Sequence, residues 1–213
     1  TELVYVRGGT FMMGSPEDEA GRRYVEYQHK VTVSSFLMSK YEVSEKEYQE
    51  VMGLEKAEKL CDYSFRNVNG IFPVSAATWY DAVEFCNKLS IKHKLKPYYK
   101  IDKNVNVPNN KADFDGMKYL VTITGGNGFR LPTEAEWEYA CKADSVTPYS
   151  FGNSIDDKVA NIEVKKDSSD HMNSNTPLRE VGSYTPNAFG LYDMHGNVYE
   201  WCWDWYDINY YST

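Results

Sequence analysis

The cysteines are the strongest nucleophiles and the softest metal ligands in this sequence: Cys61, Cys86, Cys141 and Cys202. Thiol chemistry needs either a second ligand at short spacing or a base that takes the proton. The cysteines lie far apart with no C-x-x-C pair, which excludes zinc-ribbon and thioredoxin-type sites. Spacing leaves two disulfides or none open. Cys86 and Cys141 fall in helical patterns that turn them inward, so inert core thiols are expected there. Cys202 follows Trp201 with no histidine or acid placed to activate it, and reads as structural. His195 stands alone beside a glycine in an acidic loop and also reads as structural rather than catalytic. His29, His93 and His171 have no partner at ligand spacing and read as surface residues. Trp201, Trp203 and Trp205 alternate with Cys202 and Asp204, the period of a strand with its indoles on one face. Core packing is the expected role of that face, ahead of a sugar-stacking platform.

Short elements must position these groups. Leu3–Val6 reads as a strand, Gly8-Gly9 as a turn, and Phe11–Met13 as the returning strand of a hairpin. His29–Met38 alternates with Val31 and Val33 on one side and reads as one further strand. Ser44-x-x-Glu47 is a capping box opening a helix that should end at Gly53. Trp79, Ala82, Val83, Cys86 and Leu89 recur at helical spacing, predicting an amphipathic helix of about three turns. Tyr98–Ile101 and Tyr119–Thr124 read as strands of a hairpin inserted over residues 96–128. Thr133-x-x-Glu136 is a second capping box, and its helix should bury Trp137, Ala140 and Cys141. Residues 145–180 form a long polar loop that needs pinning, by a metal or by the core. Helices and strands mix without βαβ alternation, which predicts an α+β fold.

The bulk composition narrows the function. At 213 residues the chain can bury a full core. With 31 acidic against 23 basic residues, net charge −8, and no basic stripe, it has no footprint for nucleic acid. Its apolar runs are far short of a transmembrane helix. Eighteen Tyr, with 5 Trp and 9 Phe, suit half-buried or ligand-binding surfaces as well as a core with wet edges. The sequence opens Thr1-Glu2-Leu3-Val4 without Met or apolar leader, as a processed or trimmed chain would, so an export signal would not be visible.

Several blocks, in order, carry a resemblance. They are Gly8-Gly9-Thr10-Phe11-Met12-Met13-Gly14; Tyr41-Glu42-Val43-Ser44; Pro73-Val74-Ser75; and Trp79-Tyr80-Asp81-Ala82. The strongest runs from Gly128-Phe129-Arg130-Leu131-Pro132-Thr133-Glu134 to Ala140, and the last from Asn187-Ala188-Phe189-Gly190 to Trp201. Together they resemble the sulfatase-modifying-factor family, whose founding activity is the generation of formylglycine. The resemblance implies a C-type-lectin-like α+β fold with little regular secondary structure and two main helices packed on short antiparallel strands. It implies a single domain over 1–213 lacking the family's C-terminal segment, with the hairpin insertion at 96–128.

Family enzymes oxidise a cysteine on a sulfatase polypeptide with oxygen and a copper ion held by two cysteines, a soft donor pair suited to Cu(I). In the family those cysteines follow the G-N-x-x-E-W block, and this sequence stops at Thr213 before that strand. None of its own four cysteines occupies the position, so no catalytic residue is assigned and copper is not expected for this chain. The insertion resembles that of bacterial relatives without the cysteines, among them variable proteins diversified by a retroelement. By resemblance, Asp193 and Glu200 with the carbonyls of Gly196 and Val198 would ligate calcium, which takes mixed carboxylate and carbonyl oxygens. A turn held by side-chain-to-backbone hydrogen bonds is the alternative. A second calcium site would use Asn161 and Ile162, with further ligands within residues 167–175, where Asp170 or Asn173 could substitute. The expected function is a non-catalytic ligand-binding or display domain, exported or cell-surface, taking a protein or small ligand at the lectin-like surface. The alternative is a copper-dependent formylglycine-generating oxidase whose catalytic C-terminal part lies outside this sequence.

Overall fold

The computed structural model describes residues 1–60, 71–106, 119–162, 176–205 and 207, and these fall into two units. Cys61, Asp170, His171 and Asn173 lie outside the described residues, as does the centre of the 96–128 insertion.

The first unit comprises Thr1–Val43 and Pro132–Thr213. It opens with strands β1 (Leu3–Val6), β2 (Gly9–Met13), β3 (His29–Val33) and β4 (Phe36–Ser39). The expected hairpin of the first two strands is not formed. Instead β2 pairs antiparallel with β3, and β1 with β4, so the pairs are nested. Gly8 explains the choice: a Cβ there would lie 2.5 Å from the Val33 carbonyl oxygen and 2.6 Å from Ser35 N. Its close approach, with Gly8 N donating to Ser35 Oγ at 2.9 Å, carries the chain past the 33–35 turn. That turn also splits the expected single strand His29–Met38 into two. The helix that follows in this unit, Glu134–Lys142, starts at a full capping box between Thr133 and Glu136 and ends in a left-handed Ala143.

That helix locks onto the strands. Glu138 accepts from Gly14 N at 2.8 Å, Lys142 donates to the Gly14 carbonyl, and the Tyr139 hydroxyl donates to the Arg7 carbonyl at 3.0 Å. Val6, Val33, Tyr139, Ala140, Cys141, Leu191 and Met194 form the core, with Trp137 only partly buried beside them. Residues 201–205 form no strand, contrary to the alternation of their tryptophans. Trp201 and Trp205 are exposed, because the chain bends at 203–204 and period-two alternation has no ladder to impose it.

The second unit, Ser44–Leu131, holds the remaining elements. Helix α1 (Glu45–Met52) is capped by Ser44, whose side chain accepts from Glu47 N, and ends at Gly53 (φ 94) as expected. A further helix, α2 (Leu54–Leu60), follows it at once. Helix α3 (Trp79–Lys92) starts from a Thr78/Asp81 capping box, and β5 (Tyr99–Asn106) pairs antiparallel with β6 (Tyr119–Ile123), the expected hairpin. The helix of the first unit is therefore α4, fourth in the chain. Tyr48 stacks on Phe85 at 5.6 Å, and the buried Ser90 donates to the Cys86 carbonyl while accepting from Phe129 N.

An ion network ties α2 to α3. Lys56 Nζ lies 2.7 Å from Asp81 and 3.0 Å from Glu84. Burial raises both carboxyl pKa values, but the Lys56 contacts outweigh it and leave both below the ordinary 3.8 and 4.5. Lowered carboxyls stabilise the fold above their unfolded pKa values, and that contribution is lost as pH falls through the folded ones. Lys56→Met is therefore expected to cost about 1 kcal/mol near neutral pH. The difference from wild type should shrink in urea titrations below pH 4.

Candidate functional site

The segment 187–200 is built from its own turns outward. Asn187 Oδ1 accepts from Phe189 N and Leu191 N, and its amide nitrogen donates to the Ala140 carbonyl at 2.7 Å. Leu191 and Met194 drop into the core. Between and beyond them the chain reverses at Asp193 (φ 58) and Asn197 (φ 70), left-handed positions that Asp and Asn tolerate better than most residues.

Three acids gather around this loop. Asp193 Oδ2 accepts from Gly182 N at 2.6 Å, while its Oδ1 is buried with no hydrogen-bond partner. Glu200 accepts from Trp137 Nε1. Glu42, only 7% exposed, accepts from Asn197 Nδ2 at 2.6 Å and from Val198 N at 3.2 Å. Desolvation pushes the Glu42 carboxyl up to about 8, with the charges of Glu200 and Asp193 adding to it. Burial likewise raises Asp193, and it raises Glu200 with help from Asp193. Glu200 is itself exposed, so the strain centres on the buried Glu42 and the half-buried Asp193, and a cation there would favour their charged forms.

The donor chemistry fits calcium. Asp193, with its orphaned oxygen, and Glu200 would supply carboxylates, and the carbonyls of Val198 and of Gly196, which also accepts from Val198 N at 3.0 Å, would complete the set. Among the described residues no three His, Cys, Asp or Glu side chains converge as a metal centre. A cation here would therefore need backbone carbonyls, which calcium accepts and zinc does not favour. The structure brings Asn161 and Ile162 against the same loop. Asn161 donates to Asn197 Oδ1 at 3.0 Å and to the Pro177 carbonyl, and its own carbonyl accepts from Asn197 N at 2.9 Å. Ile162 Cγ2 packs close to Gly196. The residues expected to complete a second site lie outside the described ones.

His195 is a bracket. Its ring packs edge-on against the stacked pair of Tyr149 and Phe151, and Ser150 N donates to Nε2 at 3.1 Å, which places the ring proton on Nδ1. Burial drops its pKa to about 4, so the ring is neutral near neutral pH. His29 hydrogen-bonds the Tyr27 carbonyl through Nδ1, and His93 is exposed against Phe129. Cys86 and Cys141 are free thiols, and burial pushes both of them and Cys202 up to about 12. Cys141 lies 3.6 Å from the His195 nitrogens but donates to the Met194 carbonyl at 3.2 Å. The cleft beside the loop, lined by Ser150, Phe151, Asn161, Tyr184, Asp193 and His195 among others, has a volume of about 20 Å³, room for about one water.

A search of known families gives a match over residues 1–213 to the sulfatase-modifying factor enzyme 1-like domain. The chain belongs to this family. Chaperone protein LppX of Paenibacillus barcinonensis is 41% identical across 96% of the chain and 72% of that protein. The mouse formylglycine-generating enzyme is 29% identical over 99% of the chain but only 60% of its own length. Among solved structures, a Treponema denticola variable protein superposes with TM-score 0.73 at 31% identity, covering 96% of this chain and 73% of that one. PvdO from Pseudomonas aeruginosa superposes at 0.67 with 28% identity, covering 99% and 73%. The sulfatase-modifying-factor fold is thus an α+β arrangement of short antiparallel strands and helices with little regular structure. Within it, Glu42 is the site residue that sequence reasoning missed. Its neighbours in sequence carry no sign of that role, since the donors it meets, Asn197 and Val198, lie 155 and 156 residues away.

Proposed function

We propose that this domain is a non-catalytic binding scaffold for a polypeptide partner, with the 193–200 loop pinned by calcium through Asp193, Glu200 and the Gly196 and Val198 carbonyls. The observation that carries it is the state of the thiols. Burial pushes Cys86, Cys141 and Cys202 up to about 12 and keeps them protonated, the opposite of the thiolates that copper and thiol oxidation require. The one-water cleft beside the loop offers no room for an organic substrate. The name of the Paenibacillus relative, a chaperone protein, supports a polypeptide as the ligand class. So does the β1–β4 ribbon, whose outer face carries Tyr5 and Leu37 in register, 65% and 60% exposed. Calcium is plentiful outside cells, which suits weak extracellular sites and an exported or cell-surface location.

The test uses the natural full-length protein, Cu(I) and a cysteine-containing sulfatase peptide under oxygen, read by mass spectrometry. The expected result is an unchanged peptide that the protein still binds in fluorescence anisotropy. Conversion of the cysteine to an aldehyde would establish the oxidase instead.

A further inference from the structure

The segment linking β4 to the cap of α1 runs alongside the candidate calcium loop and touches both of its ends. At the start of the loop, Tyr192 N donates to the Lys40 carbonyl at 3.0 Å, and the Tyr41 and Tyr192 rings lie 4.9 Å apart. At the far end, Glu42 takes hydrogen bonds from Val198 N and from the Asn197 side chain. Both left-handed reversals, at Asp193 and Asn197, fall between these two anchor points.

The orientation of the Asn197 amide follows from its neighbours. Arg179 N can only donate, and it does so to Asn197 Oδ1 at 2.9 Å. The Asn197 amide nitrogen therefore faces Glu42 and the Arg179 carbonyl. Position 42 thus meets two donors at once, the Asn197 amide and the Val198 N–H. The two carboxyl oxygens accept one each, whereas a glutamine amide accepts one and opposes the other with its own N–H. Peptide planarity carries one contact of this clasp directly to a ligand carbonyl, and the Glu42 bonds fix the residues that follow it. Asn161 holds the Asn197 N–H, whose peptide plane has the Gly196 carbonyl on its opposite edge. Glu42 holds the next plane, which carries the Asn197 carbonyl and leads through the Val198 Cα to the Val198 carbonyl.

We propose that Glu42 is a positioning residue for calcium, acting as a double acceptor that splints the 193–200 loop rather than as a ligand. This rests on the reading that the loop takes calcium. The outer partners of metal ligands typically govern affinity about 10- to 100-fold.

The experiment is calcium titration by calorimetry on the full-length protein and its Glu42→Gln variant, with melting curves in chelator alongside. The expected result is calcium affinity weakened about tenfold or more in the variant, with little change in its chelated melting temperature. A merely structural role would lower the chelated melting temperature and leave affinity unchanged. Equal affinities for wild type and variant overturn the splint while leaving the calcium reading intact. A wild type that takes up no calcium overturns both. If Glu42→Gln shows no cooperative melting, Asn197→Gly takes its place, since glycine adopts φ 70 without strain while losing the side-chain contacts to Glu42, Asn161 and Arg179. The same weakening is then expected, and undiminished affinity would overturn the proposal.

Discussion

Leu191→Ala is expected to lower the unfolding free energy by about 3–5 kcal/mol, read by urea titration in the presence of a chelator. Leu191 is 1% exposed and packs in the core of the first unit with Val6, Tyr139 and Met194. Transfer of the lost methyl groups accounts for part of the cost, and the cavity for the rest. The backbone there is poorly able to collapse into the space. Leu191 N donates to Asn187 Oδ1, its carbonyl accepts from Asn187 N, and Asn187 is itself fastened to α4 through the Ala140 carbonyl. A loss under about 1.5 kcal/mol would mean that the turn relaxes despite these ties. Because Leu191 precedes Asp193 by two residues, the variant should also lose calcium-dependent stabilisation.

Gly196→Ala is the second large effect, and it separates the loop from the core. A Cβ at this position would overlap the Asn161 carbonyl and come within 3.2 Å of Ile162 Cγ2. The opposing atoms are mostly backbone, so no side chain can swing away to make room. The cost is expected near the top of the usual overpacking range, about 3 kcal/mol. The Asn197 N–H to Asn161 carbonyl bond should break with it. Calcium should then no longer raise the melting temperature, while α4 and its capping box keep their helical circular dichroism. Retention of the full calcium response would remove Gly196 from the site. The requirement here is space, in contrast with Gly190, whose positive φ of 83 faces open surroundings.

The two substitutions also bear on what the domain does. A scaffold needs its loop held, whether or not any bond is made or broken there. Protonated thiols near 12 at Cys86, Cys141 and Cys202 leave the described residues without an activated sulfur. The chain spans 72% of the LppX protein and 60% of the mouse enzyme, so the copper test is run on the natural full-length protein.

What the sequence by itself determined is the set of local devices and the family they belong to. The Thr133/Glu136 box, the Ser44 cap and the Gly53 stop are interactions over a few residues, and each stands where the residue types put it. The β5–β6 hairpin was legible because both strands carry their own apolar pattern. The ordered blocks from Gly8 to Trp201 were enough to name the family, since they report the fold without requiring it to be derived.

Tertiary structure decided the rest. Whether β1 pairs with β2 or β4 depends on how closely Gly8 approaches the 33–35 turn, a contact across the chain that alternation does not encode. The tryptophans at 201–205 alternate like a strand, yet alternation forms no ladder without a neighbouring strand to accept it. Glu42 and the Asn161–Asn197 clasp were out of reach for the same reason. Their partners lie 155 and 36 residues away, and only the packed fold brings two donors to one carboxylate. Local propensity is written into neighbouring residues, whereas a site assembled from distant loops exists only once hydrophobic burial has closed them together.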